Sequence, residues 1–169
     1  MQIHYPVSLK DFERIAEIYN SAIKPFYNIS SILESKDYRS LMTQTALDLH
    51  QLTQSKIFCC ATLDNRIVGF AYYYIKNTDI IWINSLYVDP AFQNKGIGTF
   101  LLNSLCRDNI NCGLIALETH AEAEWAISFY IKNGFTVVND VIESPPYDRI
   151  LNKPPVIGRP ILAKIISHQ

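Results

Sequence analysis

The spacing of hydrophobic positions changes several times along the chain, and each change predicts an element. Residues 3–7 read as a short strand. Ser8, with Asp11 three positions on, reads as a helix start, a hydroxyl N-cap followed by an acid in the first turn. Leu9, Phe12, Ile15, Ala16 and Tyr19 then fall on one helical face until Pro25 ends or kinks the helix. Residues 26–36 are less regular, and Phe26 and Tyr27 are read as core residues in preference to an acceptor pocket. Helical spacing returns over 38–52 through Leu41, Met42, Thr45, Leu49 and Leu52. Residues 57–63 predict a strand, Asp64-Asn65 a turn, 67–75 a second strand, and Asn77-Thr78-Asp79 another turn. Strands joined this tightly must form an antiparallel meander with the strand that follows, because parallel neighbours need long crossovers.

That next strand opens the stretch around which the chain is organised, residues 80–105. From Ile80 to Val88 it is rich in β-branched and aromatic residues, the make-up of a strand buried on both faces. Asp89-Pro90 stops it, since proline supplies no N–H to a ladder. Gly96 and Gly98 then open a segment whose apolar residues Ile97, Phe100, Leu101, Leu102 and Leu105 recur at helical period. A strand that hands a glycine-bearing turn to a helix N-terminus makes an anion site. Unpaired amides and the positive end of the helix dipole converge there, and missing side chains let a diphosphate approach the backbone. A P-loop is excluded because Lys95 precedes the glycine, and the dinucleotide fingerprint because its third glycine is absent.

Downstream, 114–119 predict a strand, reached by a crossover and therefore parallel to 80–88 with a right-handed connection. Residues 122–133 predict a helix ending at Gly134, a residue suited to the left-handed C′ position. A strand over 135–143 follows. Pro145, Pro146, Pro154 and Pro155 bracket an irregular segment containing Tyr147, Asp148 and Arg149, and 160–166 close the chain as a strand antiparallel to the one before. No repeat or linker divides the pattern, so residues 1–169 are expected to form one domain of mixed α/β (α+β) class.

Composition narrows the function. The chain has 169 residues, 49% of them hydrophobic and 18% charged, as in a globular protein. A net charge of -1 leaves no field to attract nucleic acid or an anionic membrane. No apolar run approaches a bilayer span, and an N-terminal segment bearing Asp11 and Glu13 does not read as a signal peptide. Cys59, Cys60, Cys106 and Cys112 form no C-x-x-C pair, so neither a zinc site nor a disulfide framework is expected, and a cytoplasmic protein with reduced thiols is.

Two motifs carry the chemistry. Gln93-x-x-Gly96-x-Gly98, after Leu86-Tyr87-Val88-Asp89-Pro90, resembles the acyl-CoA-binding motif of the GNAT superfamily of N-acetyltransferases. Ala126-x-x-x-Tyr130-x-x-x-Gly134-Phe135 resembles that family's second signature, in the right order and with a strand between. The resemblance covers residues 57–135. It implies a mixed, mostly antiparallel central sheet with two splayed parallel strands, flanked by helices. It implies that acetyl-CoA is the cosubstrate and that no metal is needed. The backbone of Leu86, Tyr87 and Val88 would meet pantetheine and polarise the thioester, and Gln93, Asn94, Lys95, Gly96, Ile97, Gly98 and Thr99 would hold the diphosphate. Ala126 and Phe129 would complete the coenzyme contacts.

Within the same resemblance Tyr130 is the general acid for the departing thiolate. Glu118 matches a proton-accepting glutamate of branches that acetylate protein N-termini; His120 is its neighbouring rival, and a water relay the third route. One departure stands out: the family's usual asparagine seven residues before the tyrosine is Ala123 here. The implied activity is direct transfer of an acetyl group to a primary amine of a small molecule, within a ternary complex. Tyr72, Tyr73, Tyr74, Trp82 and the region of Tyr27 are candidates for an aromatic acceptor pocket. The alternatives are a peptide or protein N-terminus as acceptor, or a non-catalytic acyl-CoA-binding regulatory module.

Overall fold

The structure, a computed structural model, describes residues 1–29, 43–138 and 158–166. Its strands are β1 (Gln2–His4), β2 (Ile57–Leu63), β3 (Arg66–Lys76), β4 (Ile80–Val88), β5 (Leu114–Glu118), β6 (Thr136–Val137) and β7 (Ile161–Ile165). They form a seven-stranded sheet in the order β1-β2-β3-β4-β5-β7-β6. The α-helices among these residues are α1 (Leu9–Ala22), α2 (Ala46–Gln51), α3 (Ile97–Asp108) and α4 (Glu124–Lys132). None is long and apolar enough to cross a membrane. The chain falls into two compact units, Met1–Tyr74 with Ser85–Leu105, and Ile75–Asn84 with Cys106–Gln169.

In the first unit, α1 begins where the sequence places it. The Asp11 N–H donates to Ser8 Oγ at 3.2 Å and the Ser8 N–H donates to the Asp11 carboxylate at 3.1 Å, a reciprocal capping box. Phe12, Ile15, Ala16, Ile18, Tyr19 and Ala22 are buried. Leu9 is not part of that face: at 55% exposed it lies in the first turn, beyond the end of the core. The helix ends before Pro25, which sits in a 3-10 turn over Lys24–Asn28. Phe26 and Tyr27 are half-buried, and Tyr27 packs on the core as expected.

The helix expected over 38–52 is shorter in its described part. Thr45 has extended backbone and caps α2 through a second capping box with Asp48, so it cannot be a helix interior. Tyr38, Leu41 and Met42 lie outside the described residues. Asp64 and Asn65 both take positive φ, 50° and 59°, the conformation that turns β2 tightly into β3. Phe12, Ile15, Ile18 and Leu49 pack with Phe58, Cys60, Ile67 and Phe70 to make the core of this unit.

In the second unit β4 pairs in parallel with β5 from Ile80↔Leu114 to Ile83↔Leu117, the expected crossover geometry. The closing strand is antiparallel to β6, but its other edge also pairs antiparallel with β5, Leu114↔Ile165 through Glu118↔Ile161. The chain therefore inserts its last strand between two that precede it. Spacing along the sequence reports a strand's period but not its partner on either edge. Ile80, Leu114, Ala116, Val138, Ile161 and Ala163 form this unit's core. Of the strand expected over 135–143, residues 139–143 lie outside the description, as do Pro145, Pro146, Tyr147, Asp148, Arg149, Pro154 and Pro155.

The α1 cap gives a pH signature. Burial raises the Asp11 carboxyl, but hydrogen bonds from the Ser8 and Val7 N–H groups outweigh it and bring the group from 3.8 to about 2. A depressed carboxyl stabilises the fold fully above its unfolded value and loses that contribution as pH falls through the folded one. Asp11→Asn should therefore flatten the fall in melting temperature between pH 3.8 and about 2. Acid melts that run parallel for the two proteins would contradict this.

Candidate active site

The central stretch is not buried along its whole length, as its composition predicts. Ile80, Ile81 and Ile83 are buried, whereas Leu86, Tyr87 and Val88 are half-exposed. The parallel ladder reaches Ile83, and β4 continues past it to Val88. Residues 86–88 are thus less deeply buried than Ile80, Ile81 and Ile83.

Asp89 ends the strand. Its N–H donates to the Val68 carbonyl at 2.9 Å, and its carboxylate accepts from the Ala91 N–H at 2.9 Å, capping a 3-10 turn over Pro90–Phe92. Gln93, Asn94, Lys95 and Gly96 follow, all exposed. Asn94 has φ 60° and Gly96 φ 77°, left-handed positions that asparagine and glycine tolerate best. The first bond of α3 runs from the Phe100 N–H to the Gly96 carbonyl at 2.9 Å, so the amides just after Gly96 form the open end of the helix. A methyl group at Gly96 would meet nothing within 4 Å, so the turn faces open space there. Lys95 is turned back along the loop, its ammonium 3.5 Å from the Ala91 carbonyl and 5.1 Å from the Phe92 ring centroid.

Gly69, unremarked in the sequence, sets how closely α3 lies on the sheet. A Cβ at this position of β3 would stand 3.0 Å from Ile97 Cγ2, 3.1 Å from the Tyr87 carbonyl oxygen and 3.4 Å from Leu101 Cδ1. The available signal is a glycine inside an apolar strand, which marks close backbone approach.

In the second unit the candidate bases lie at and after the end of β5. Glu118 is half-buried and ion-paired with Arg159, 3.1 Å between Oε1 and the guanidinium. The same guanidinium lies 3.3 Å from His120 Nε2. Arginine only donates, so a hydrogen bond at this distance makes Nε2 the acceptor. The segment is stapled to the residues around Arg159 by Thr119 N–H to Pro160 O at 3.2 Å and Ala121 N–H to Gly158 O at 2.9 Å. Nothing in the sequence pattern points to Arg159, which reaches both candidate bases only because β7 pairs with β5.

Ala123 occupies the N-cap of α4, fully buried and without a side-chain cap bond. Ala126 and Phe129 are half-buried. Tyr130 is 7% exposed, with the Phe129 and Phe135 rings 5.0 Å and 5.3 Å from its own. Burial pushes its phenol well above the ordinary 10.0, so it is fully protonated at neutral pH. Gly134 takes φ 84° at the helix end, as expected.

The aromatic candidates divide. Tyr73 is buried, and Tyr72 and Tyr74 share the opposite, half-exposed face of β3. Tyr74 and Trp82 already carry cations of their own, the Lys56 ammonium at 3.8 Å and the Lys76 ammonium at 5.1 Å from the ring centroids. Tyr72 stacks on Phe58 at 5.0 Å, and Tyr19 stands edge-on to Tyr87 at 5.3 Å. Burial, and then the neighbouring Tyr72 and Tyr27 phenols, push the Tyr19 hydroxyl above its usual value, which sets three phenols in one neighbourhood. Among the described residues no group of three or more His, Cys, Asp or Glu could hold a metal ion.

The sequence profile of the acetyltransferase (GNAT) family matches residues 13–135, well over half of the chain. The chain belongs to the GNAT family.

Among curated protein sequences this GNAT acetyltransferase has no match. Solved structures match it over nearly all its length. PaiA N-acetyltransferase from Thermoplasma acidophilum, in complex with coenzyme A, is similar with a TM-score of 0.70 at 21% identity, covering 98% of this chain and 99% of that one. The ribosomal-protein-S18-alanine N-acetyltransferase from Escherichia coli gives 0.67 at 17%, covering 99% and 95%. An aminoglycoside 6'-acetyltransferase type Ii gives 0.66 at 17%, covering 100% and 99%. At such identities the likeness establishes the GNAT fold, a mixed, mostly antiparallel sheet with one parallel pair.

Gly69→Ala should test the packing of α3. With a carbonyl oxygen 3.1 Å away, the new methyl must displace the helix or the strand. A loss of about 1–3 kcal/mol in urea-unfolding stability is expected, and an unchanged midpoint would contradict the close approach.

Proposed function

We propose that this GNAT acetyltransferase moves an acetyl group from acetyl-CoA to a primary amine of a small molecule, directly and within a ternary complex. The observation that carries the reading is the turn from Gln93 to Gly98. Exposed residues, two left-handed positions and open space at Gly96 precede a helix whose first amides are unspent. That is a cradle for a diphosphate, and it fits coenzyme A. In this reading Gln93, Asn94, Lys95, Gly96, Ile97, Gly98 and Thr99 hold the diphosphate through backbone N–H groups. Half-exposed Leu86, Tyr87 and Val88 lie along the pantetheine arm, and Ala126 and Phe129 contact it from α4. The whole chain acts as one acetyltransferase domain, and a cytoplasmic location suits four cysteines that are not joined in disulfides.

Acetyl-CoA supplies an activated acyl group; the protein handles the protons. Glu118, ion-paired with Arg159, takes a proton from the substrate ammonium, directly or through water, to free the amine for attack. His120 lies beside the same guanidinium. Tyr130 gives its proton to the departing thiolate. Burial keeps this phenol protonated and so able to donate, though as a weaker acid than in water. The backbone N–H groups of residues 86–88 stabilise the charge that develops on the carbonyl oxygen.

A small amine is favoured as acceptor by the grouping of Tyr19, Tyr27 and Tyr72, whose rings and hydroxyls suit an alkylammonium. A peptide N-terminus is the second reading, favoured by the position of Glu118 at the end of β5. A CoASH-release screen across small amines, aminoglycosides and peptides with a free N-terminal alanine separates the two. Tyr130→Phe should lower kcat by about 100-fold or more while leaving the thermal stabilisation by CoA intact. Turnover equal to the parent would remove Tyr130 from the reaction, whereas a parent that binds CoA but acetylates no acceptor would leave the acyl-CoA-binding module standing. Glu118→Gln should lower kcat by about 10-fold or more while acetyl-CoA affinity holds. A rate kept in Glu118→Gln but lost in His120→Ala would transfer the base role to His120.

A further inference from the structure

The diphosphate turn is tied to α1 by a side chain outside both motifs. Arg14, in the second turn of α1, makes three bonds with one guanidinium. Its Nε donates to the Ile67 carbonyl at 3.0 Å, one Nη donates to Glu17 at 2.8 Å, and the other donates to the Asp89 carboxylate. Asp89 in turn donates its N–H to the carbonyl of Val68, the next residue of β3. The chain from Arg14 through Ile67-Val68 to Asp89 and back to Arg14 is therefore a closed ring. Both side chains are largely buried, 19% and 13% exposed, so the pair is screened much less than a surface ion pair.

The ring passes its order on to the turn. The Asp89 oxygen not facing Arg14 accepts the Ala91 N–H, and the Asp89 carbonyl accepts the Phe92 N–H at 2.8 Å. Gln93 Nε2 then donates back to the Val88 carbonyl at 3.3 Å. Burial pushes the Asp89 carboxyl up, but the Ala91 amide and Arg14 hold it below the usual range, so it remains an anion available to both. The bonds that lead into Gln93 run through Asp89 and its neighbour Val88.

We infer that Arg14 is a positioning residue for the coenzyme, setting through Asp89 the place of the amides that receive the diphosphate. This rests on the acetyl-CoA reading above. The test compares the parent with Arg14→Gln, Asp89→Asn and the double variant, each titrated with CoA, with 3'-dephospho-CoA and with pantetheine, which lacks the diphosphate. CoA and dephospho-CoA affinities should each fall by about 10-fold in either single variant, pantetheine affinity should not move, and the double variant should lose little more than either alone. An unchanged CoA affinity overturns the inference, and so does an equal loss for pantetheine, which would make the pair merely structural. Hydrogen exchange on the ligand-free proteins reads the same device independently: amides 91–99 should exchange faster in Asp89→Asn while the β2–β3 amides keep their protection. No change at 91–99 would also overturn it. A parent that binds neither CoA nor dephospho-CoA, with exchange altered as expected, would fault the coenzyme reading and not the ring.

Discussion

The start of α3 depends on how closely that helix lies against β3, and the closeness depends on one missing side chain. At Gly69 the strand presents only backbone to Ile97, Leu101 and the Tyr87 carbonyl. Packed interiors respond to single methyl groups because little free volume absorbs them. A helix held this near the strand can emit its first amides directly from the end of β4, after a turn of a few residues. Gly96 and Asn94 then supply the left-handed steps that such a short turn requires.

The two compact units contribute different chemistry. The first carries the amide-lined turn, the exposed end of β4 and the tyrosine group; the second carries Glu118, His120, Arg159 and Tyr130. Each contribution is shaped by local physics that opposes the average behaviour of its residue type. A tyrosine buried among phenylalanine rings holds its proton more firmly than in water. Glu118 and His120 share one arginine, the Arg159 guanidinium lying 3.1 Å from the carboxylate and 3.3 Å from Nε2. Ala123 at the α4 N-cap leaves that helix without a side-chain cap.

Much of the fold was readable because local rules and tertiary demands agree. The capping box at Ser8, the left-handed pair Asp64-Asn65, the Asp89-Pro90 stop and the Gly134 helix end are all set by interactions within a few residues. The misreadings have physical reasons too. Leu9 fits the helical period but sits past the core's edge, and Thr45 fits it but has a better use as a cap. Residues 86–88 have the composition of a sealed strand and are half-exposed because composition does not say how far a neighbouring strand extends.

The sequence by itself determined the succession of elements, the family, and the residues of both motifs, since these depend on short-range geometry and on patterns a few positions long. Only the tertiary structure decided the partners of those residues. Arg14 meets Asp89 across 75 positions, and Arg159 meets His120 across 39. Contacts at that range follow from sheet order and helix docking, which arise from the sum of many weak burial terms and leave no mark in the spacing of any one segment.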